Sequence, residues 1–444
     1  MSNPLLDRQL RRWYPLKDHP VQLALVAAVE NGIRFPVVPA GRRSGKTERA
    51  KRFLAKQAMW LPNERYFAAA PTRDQAKKIW WDDLKMLTLS AKHPRKPSES
   101  FLIIYLPNGS EIHVIGLDQP QRIEGIEWTG GVIDEIADVK SESVEANILP
   151  ALNTVNPMRP FYRAWCWWIG VPDGLNHYFE MAERAKKGDD PDWRLFHWKS
   201  SEILPADVIA SAKRTMSRRQ YLQEYEASFE TATGRIYDDY QGGIGGRNYT
   251  TRVVKPTDAL HWMHDQNFTP LSSAIGVIEG ANVHLVDEIV LESAISKQSA
   301  LEFIERYRHH LNRKVFIYGD PAGRAGEKHG HKSDYTDIED ILRINNWQFE
   351  RRVRPAAPSI RDRQNSVRAK LLNAAEETTL FVNPETAEWC HKGLATVQLQ
   401  KGSTYQEDQK NPFQHITTAI GYFSDWHWPS GKSKGGHATT TGNH

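Results

Sequence analysis

Eight residues, Ala40-Gly41-Arg42-Arg43-Ser44-Gly45-Lys46-Thr47, have the types and spacing that could hold the phosphates of a nucleoside triphosphate. In such a Walker A loop, backbone N–H groups around Gly41, Ser44 and Gly45 and the N-terminus of the next helix wrap the phosphates. Lys46 would reach the β- and γ-oxygens, and the Thr47 hydroxyl would ligate Mg²⁺. Ala40 stands where the usual pattern has its first glycine. Arg42 and Arg43 place two cations inside the loop, where they could reach the γ-phosphate from the same subunit.

The partner chemistry is a carboxylate at the end of a neighbouring strand. Gly130-Gly131-Val132-Ile133-Asp134-Glu135 reads as an apolar strand ending in two acids, a Walker B pattern. Asp134 would hold Mg²⁺, and Glu135 would polarise the attacking water, so the pair indicates hydrolysis of ATP. Two adjacent acids could also be a solvated turn; their pairing with Gly45-Lys46-Thr47 favours the site. Arg122 is a candidate arginine finger toward a neighbouring subunit, and a surface arginine is its plain alternative.

These residues need elements to position them. Apolar, β-rich runs at 35–39, 65–70, 101–105, 111–115, 131–133 and 162–169 alternate with helical patterns, which is an α/β signature. Helices are expected at 206–215 and 217–227. Gln241-Gly-Gly-Ile-Gly-Gly246 marks a linker or flexible loop near a boundary. A second α/β block follows, with strands at 273–278, 283–290 and 315–318 and helices near 299–311, 360–375 and 413–426. The reading is an ATPase domain over 1–200, a helical linker or lid with a glycine-rich connection over 201–246, a second domain over 247–428, and a disordered tail over 429–444.

Composition sets the limits. A chain of 444 residues, 40% hydrophobic and 25% charged, is that of an ordinary globular protein of more than one domain. No apolar run approaches the ~20 residues that span a bilayer, and the N-terminus has no apolar stretch of a secretory signal. Two distant cysteines, Cys166 and Cys390, suggest neither a disulfide framework nor a zinc site. A net charge of +4 permits nucleic-acid binding without arguing for it.

In the order of its motifs the chain resembles the large terminase subunit of tailed bacteriophages, a DNA-packaging motor and nuclease. His19-Pro-Val-Gln22 is similar to that family's adenine-recognition element, which makes Gln22 a nucleotide contact. Ala70-Pro-Thr-Arg-Asp-Gln-Ala76 with Trp80, and Arg122-Ile-Glu-Gly125 ahead of the Asp134 strand, match further segments. Ile169-Gly-Val-Pro-Asp-Gly-Leu-Asn176 is similar to its coupling motif, with Val171 in place of the usual threonine. The resemblance runs from about Leu10 to Trp426. It implies a P-loop ATPase domain of the ASCE type followed by a ribonuclease H-like nuclease domain. It also implies ATP with Mg²⁺ in the first and Mg²⁺ or Mn²⁺ in the second. Implied partners are double-stranded DNA, bound without sequence preference, the portal protein and a small terminase subunit. Rings would form on the portal from a chain that is monomeric in solution, in the host cytoplasm and transiently at the procapsid vertex, with no membrane and no place in the mature virion.

Two-metal phosphodiester cleavage needs carboxylates converging from separate strands. Asp265, closing Trp262-Met-His-Asp265, is placed like the first acid of a ribonuclease H-like fold, and Asp320, after Val315-Phe-Ile-Tyr-Gly319, like the second. An ordinary loop acid and a turn or helix cap are their plain alternatives. Family members close with His-x-x-Asp-Ala-Leu-x-Tyr; this chain reads His415-Ile-Thr-Thr-Ala-Ile-Gly-Tyr422, with Thr418 where the acid is expected. Threonine is a poor ligand for a hard divalent cation. His415, Asp425 and Asp408 are the candidates to complete the site, with His329 and His331 as loop alternatives.

Between Arg351 and Lys370 lie Arg351, Arg352, Arg354, Arg361, Arg363, Arg368 and Lys370 against one acid, Asp362. That bias suits a groove tracking DNA phosphates, against the alternative of a solvated charged face. Two other functions stay open: a DNA-dependent, helicase-like remodelling ATPase with a non-cutting second domain, kept alive by Thr418, and a non-catalytic DNA-binding structural subunit. The tail from Pro429 to His444 is a candidate portal contact.

Overall fold

The computed structural model describes residues 12–153, 162–230, 234–265, 270–324, 333–400, 403 and 405–430. The chain splits into two compact units, one of Met1–Ile209 with Leu222–Thr231, the other of Ala210–Tyr221 with Ala232–His444. His329, His331 and the tail beyond Ser430 lie outside the described residues.

The first unit is built on a sheet of seven strands: β1 (Phe35–Pro39), β2 (Arg65–Ala70), β3 (Ile103–Tyr105), β4 (Glu111–Gly116), β5 (Gly130–Ile133), β6 (Trp165–Gly170) and β7 (Trp193–Leu195). Their spatial order is β3-β4-β2-β5-β6-β1-β7. All neighbours are parallel except β3 with β4. Strands buried on both faces read as continuous apolar runs, and Trp165-Cys-Trp-Trp-Ile-Gly170 is buried at every position. Alternation still sorts the side chains. Val38, Ala68, Val132 and Trp167 pack with α1 (Pro20–Glu30) and α2 (Lys46–Trp60) on one face. Val37, Phe67, Ile133 and Trp168 pack with α3 (His177–Lys187) on the other. One strand, β6, separates the loop strand β1 from the acid strand β5, the ASCE arrangement. Register pairs Pro39 with Gly170, and Ile133 with Trp168, so the loop and the acids leave at the same carboxyl edge.

The helices α4 (Ala206–Thr215) and α5 (Arg218–Glu224) fall across the division of the chain. The glycine cluster 241–246 lies shortly after the division of the chain at Thr231. It belongs to the second unit, between core residues Ile236, Tyr237 and Tyr240 and buried Asn248, whose amide donates to the carbonyls of Leu371 and Leu380.

The second unit carries six strands: β8 (Leu260–Asp265), β9 (Leu271–Glu279), β10 (Asn282–Leu291), β11 (Lys314–Gly319), β12 (Gln348–Arg351) and β13 (Leu380–Val382), in the order β12-β11-β8-β9-β10-β13. An antiparallel β8-β9-β10 meander continued by parallel β11 and β12 is the ribonuclease H-like arrangement. One face packs Trp262, Ile275, Val315 and Ile317 against α6 (Ser296–Arg306) and α7 (Asp334–Ile344). The other packs Met263, Phe316 and Tyr318 against α8 (Ile360–Leu371), α9 (Glu388–Thr396) and α10 (Gln414–His427). Helices α7 and α9 were not among the expected elements, although Tyr335, Ile338 and Leu342 in α7 and Cys390, Gly393 and Leu394 in α9 are buried at helical spacing. The short strands β7, β12 and β13 were missed because three or four residues show too few repeats to carry a signal. Among the described residues no helix is long and apolar enough to cross a membrane.

Candidate functional sites

In the first unit, β1 runs straight into the loop because Ala40 keeps strand geometry: its N–H donates to the Gly170 carbonyl and it pairs with Trp198. No special backbone freedom is needed there, which is why alanine replaces the usual glycine. It is needed at Gly45, where φ is 85° and the chain turns into α2. Gly41 is required by space instead, since a Cβ would lie 2.3 Å from the Ser200 hydroxyl and 2.7 Å from the Tyr225 carbonyl. The Ser44 carbonyl accepts from the Gln22 amide at 2.9 Å and the Trp198 indole at 3.1 Å. Gln22 also accepts from Arg49 at 3.2 Å. Both ends of the expected adenine-recognition amide are therefore occupied in bracing the loop. Lys46 is buried at the start of α2.

Asp134 follows β5 and meets the loop directly: the Thr47 hydroxyl donates to its Oδ2 at 2.7 Å. Burial, with the Glu135 charge alongside, pushes Asp134 up to about 6 against the pull of Lys46 and the Thr47 hydroxyl. Its other oxygen accepts the Glu135 N–H at 2.9 Å. That bond closes a turn in which Glu135 sits at φ 53°, ψ 45°, a left-handed conformation that costs a non-glycine residue roughly 1 kcal/mol or more. The turn is further held by the segment after β6. Asn176 donates to the Ala137 carbonyl at 3.1 Å, and the His177 ring lies 3.1 Å from the Ile136 carbonyl. The coupling segment thus meets the turn just after the acids, at the carbonyls of Ile136 and Ala137, through Asn176 and His177. The two loop arginines part company. Arg42 pairs with Glu224 at 2.8 Å, whereas Arg43 is exposed at φ 57°. Arg122 is exposed on a short helical turn, Pro120–Ile123.

In the second unit, β8 and β11 are parallel neighbours, and Gly319 pairs with His264. The next residues in that register are Asp265 and Asp320, which share the parity of Met263 and Tyr318 and so the face covered by α10. Helix α10 presents a stripe at 415, 418, 422 and 425 to this edge. His415 Nδ1 lies 2.9 Å from Asp265 Oδ2. Tyr422 lies near the Asp320 and Asp265 carboxylates, and burial pushes its phenol up. The Thr418 hydroxyl donates to Oε2 of Glu407 at 3.3 Å. Glu407 is a buried acid that the motif comparison missed, held also by Gln364 at 3.0 Å. It precedes the helix in a loop with no periodic signal, so only its contact reveals it.

The other third-acid candidates are occupied differently. Asp425 is buried against Arg354 at 2.6 Å, and Asp408 accepts the Lys410 N–H at 3.0 Å in an exposed turn. Among the described residues no three His, Cys, Asp or Glu side chains converge to cage a metal ion. The basic stretch also differs from expectation. Arg351 pairs with Glu339, Arg352 with Glu350 and Arg354 with Asp425. Arg363 lies by Glu407 and over the Tyr422 ring. Buried Arg368 donates to the Ile236 carbonyl, and its desolvation lowers the guanidinium to about 10. Arg363 and Arg368 are buried, and Arg351, Arg352 and Arg354 are half-exposed and paired with acids, so the local excess of positive charge along 351–370 is smaller than the sequence suggests.

No family model matches the chain. It is 26% identical over 228 residues to the "Terminase, large subunit" of Escherichia phage T5, a match covering 49% of this chain and 49% of that protein. The match therefore spans about half the length of this curated relative. The large terminase of a thermophilic bacteriophage superposes with a TM-score of 0.60 at 16% identity, covering 92% of this chain and 99% of the other. The same thermophilic phage protein in complex with ATP-gamma-S gives a TM-score of 0.54 at 16% identity over 94% and 98% of the two chains. In complex with ADP the values are 0.57 and 15% over 91% and 98%. The chain has the two-domain fold of a bacteriophage large terminase, a P-loop ATPase domain and a ribonuclease H-like domain, and resembles that family in sequence.

Proposed function

We propose that this chain is the motor and nuclease subunit of a viral DNA-packaging machine, hydrolysing ATP in its first unit and cutting DNA in its second. The observation that carries the first half is the 2.7 Å contact between Thr47 and Asp134, made across β6 by a loop and an acid that are far apart in sequence. The donor set fits Mg²⁺: a hydroxyl and a buried carboxylate oxygen already side by side, both hard ligands. Thr47 and Asp134 would hold the ion, which when bound offsets charge on the β- and γ-oxygens. Lys46 and the N–H groups from Ser44 to Thr47 would bind the phosphates. Glu135, pinned in its turn by Asp134 and Asn176, would orient water and accept its proton. Arg43, and Arg42 once released, would meet charge at the γ-phosphate. ADP and ATP-gamma-S in complexes of a protein of this fold support the nucleotide assignment.

For the second unit, two carboxylates brought to one edge by strand register support phosphodiester cleavage. Asp265 and Asp320 would hold Mg²⁺ or Mn²⁺, with water and substrate phosphate completing the shell, as is common for sites with one or two protein carboxylates. His415, 2.9 Å from Asp265, would orient that carboxylate. Double-stranded DNA, a portal and a small subunit are the partners that follow from this reading. Thr418 and the lack of a three-acid cage among the described residues favour a remodelling ATPase without cutting as the second reading. The purified chain should nick and linearise plasmid with Mn²⁺, and Asp265→Asn or Asp320→Asn should lower the rate by roughly 10²-fold or more. DNA-stimulated ATP turnover with no cutting by the parent chain would decide for the second reading.

A further inference from the structure

The phosphate loop is bracketed by one residue from far along the chain, Trp198. Its carbonyl accepts the Gly41 N–H at 3.0 Å, and its backbone pairs with Ala40 in parallel register, which fixes the start of the loop. Its side chain reaches the other end. The indole N–H donates to the Ser44 carbonyl at 3.1 Å, beside the Gln22 amide, which donates to the same oxygen at 2.9 Å. Trp198 is fully buried among core side chains, and its ring lies 5.9 Å from that of His19.

The Ser44 carbonyl and the Gly45 N–H belong to one planar trans peptide and point in opposite directions. Holding the carbonyl against two buried donors therefore aims the N–H the other way. Gly45 is what makes the hold necessary. A peptide plane can rotate by about half a turn when the residue after it accepts either sign of φ, and glycine does so freely. Gly45 sits at φ 85°. The opposite rotation would turn a carbonyl oxygen toward the phosphates and repel them. Two donors on one oxygen select between these orientations.

We propose that Trp198 is a positioning residue for phosphate binding: with Gln22 it locks the Ser44–Gly45 peptide so that its N–H meets the triphosphate. This rests on the ATPase reading of the loop. The lock acts on the phosphates and not on the base, so its effect is the same for ATP and for a bare polyphosphate.

The test measures binding of ATP-gamma-S and of inorganic tripolyphosphate, each with Mg²⁺, to the full chain by titration calorimetry. Trp198→Phe keeps the aromatic packing and removes the N–H. It is expected to weaken both ligands about fivefold, the scale of one hydrogen bond. Gln22→Met should weaken both by a similar factor, and the double variant by more than the product of the two, because no donor is left to hold the peptide. Trp168→Phe controls for general loosening of the core. Its indole N–H is buried with no acceptor among the described residues, on the other face of the sheet, and ATP-gamma-S affinity should stay at the parent value. Thermal melts without nucleotide should show each variant folded. Unchanged binding by Trp198→Phe, or an equal loss in Trp168→Phe, would overturn the proposal. So would weaker ATP-gamma-S binding with tripolyphosphate unaffected, which would put the contact at the base. Should Trp198→Phe prove unfolded, Gln22→Met decides, and unchanged tripolyphosphate binding there overturns the proposal equally. A parent chain that binds neither ligand defeats the ATPase reading itself, an outcome separate from a parent that binds both and is unmoved by the change at 198.

Discussion

Glu135→Gln is expected to lower ATP turnover by roughly 10²–10⁴-fold, the range for losing a general base, while ATP-gamma-S affinity changes little. The structure gives the reason for the split. Glu135 makes none of the loop contacts; its N–H is used by Asp134, and its side chain projects from a turn held by Asn176 and His177. Glutamine keeps the shape and the backbone bond but cannot accept the proton of water. Steady-state phosphate release with a parallel binding titration checks both halves. A variant that loses binding as well as turnover would mean that the residue supports the turn and not the reaction. Asn176→Ala should give a smaller loss of turnover in the same direction, because the left-handed turn loses one of its carbonyl partners without losing the carboxylate.

Thr418→Asp is expected to destabilise the metal-free second unit by roughly 3 kcal/mol, the scale of an uncompensated buried charge. Thr418 already donates to Glu407 at 3.3 Å, and both residues are buried. An aspartate there would set two carboxylates against each other, with Arg363 the nearby cation, 3.9 Å from Glu407. The penalty should grow as pH rises above the carboxylate range, since below it one of the pair takes up a proton. Thermal melting of the full chain should show the second-unit transition lowered by roughly 6–12 °C at neutral pH. Mn²⁺ should recover more of it in the variant than in the parent, because a divalent ion relieves the like-charge pair. A transition unmoved at neutral pH would show that position 418 is wet and distant from Glu407.

Departures from the family pattern have distinct physical origins. Ala40 is tolerated because its position is a strand end and not a turn. Val171 removes a hydroxyl from a segment that still meets the turn after the acids through Asn176 and His177. Thr418 leaves a gap in charge on the α10 stripe, and Glu407 stands against it from the preceding loop.

What the sequence determined by itself was local. A phosphate loop is a strand end, a left-handed glycine and a helix start within a dozen residues, and each is specified by neighbours in the chain. Asp134, Asp265 and Asp320 were legible for the same reason, as acids closing apolar strands. Partners from far along the chain could be decided only by the tertiary structure. Counting charges within 351–370 could not see that Glu339, Glu350, Asp425 and Glu407 would neutralise or bury those arginines. Nor could it see that Glu224 would claim Arg42, 182 residues away by their numbering, or that the 241–246 glycines would lie beside a core. Ion pairs and buried amides depend on which surfaces fold together, and strand register, not spacing in sequence, brought Asp265 and Asp320 to one edge.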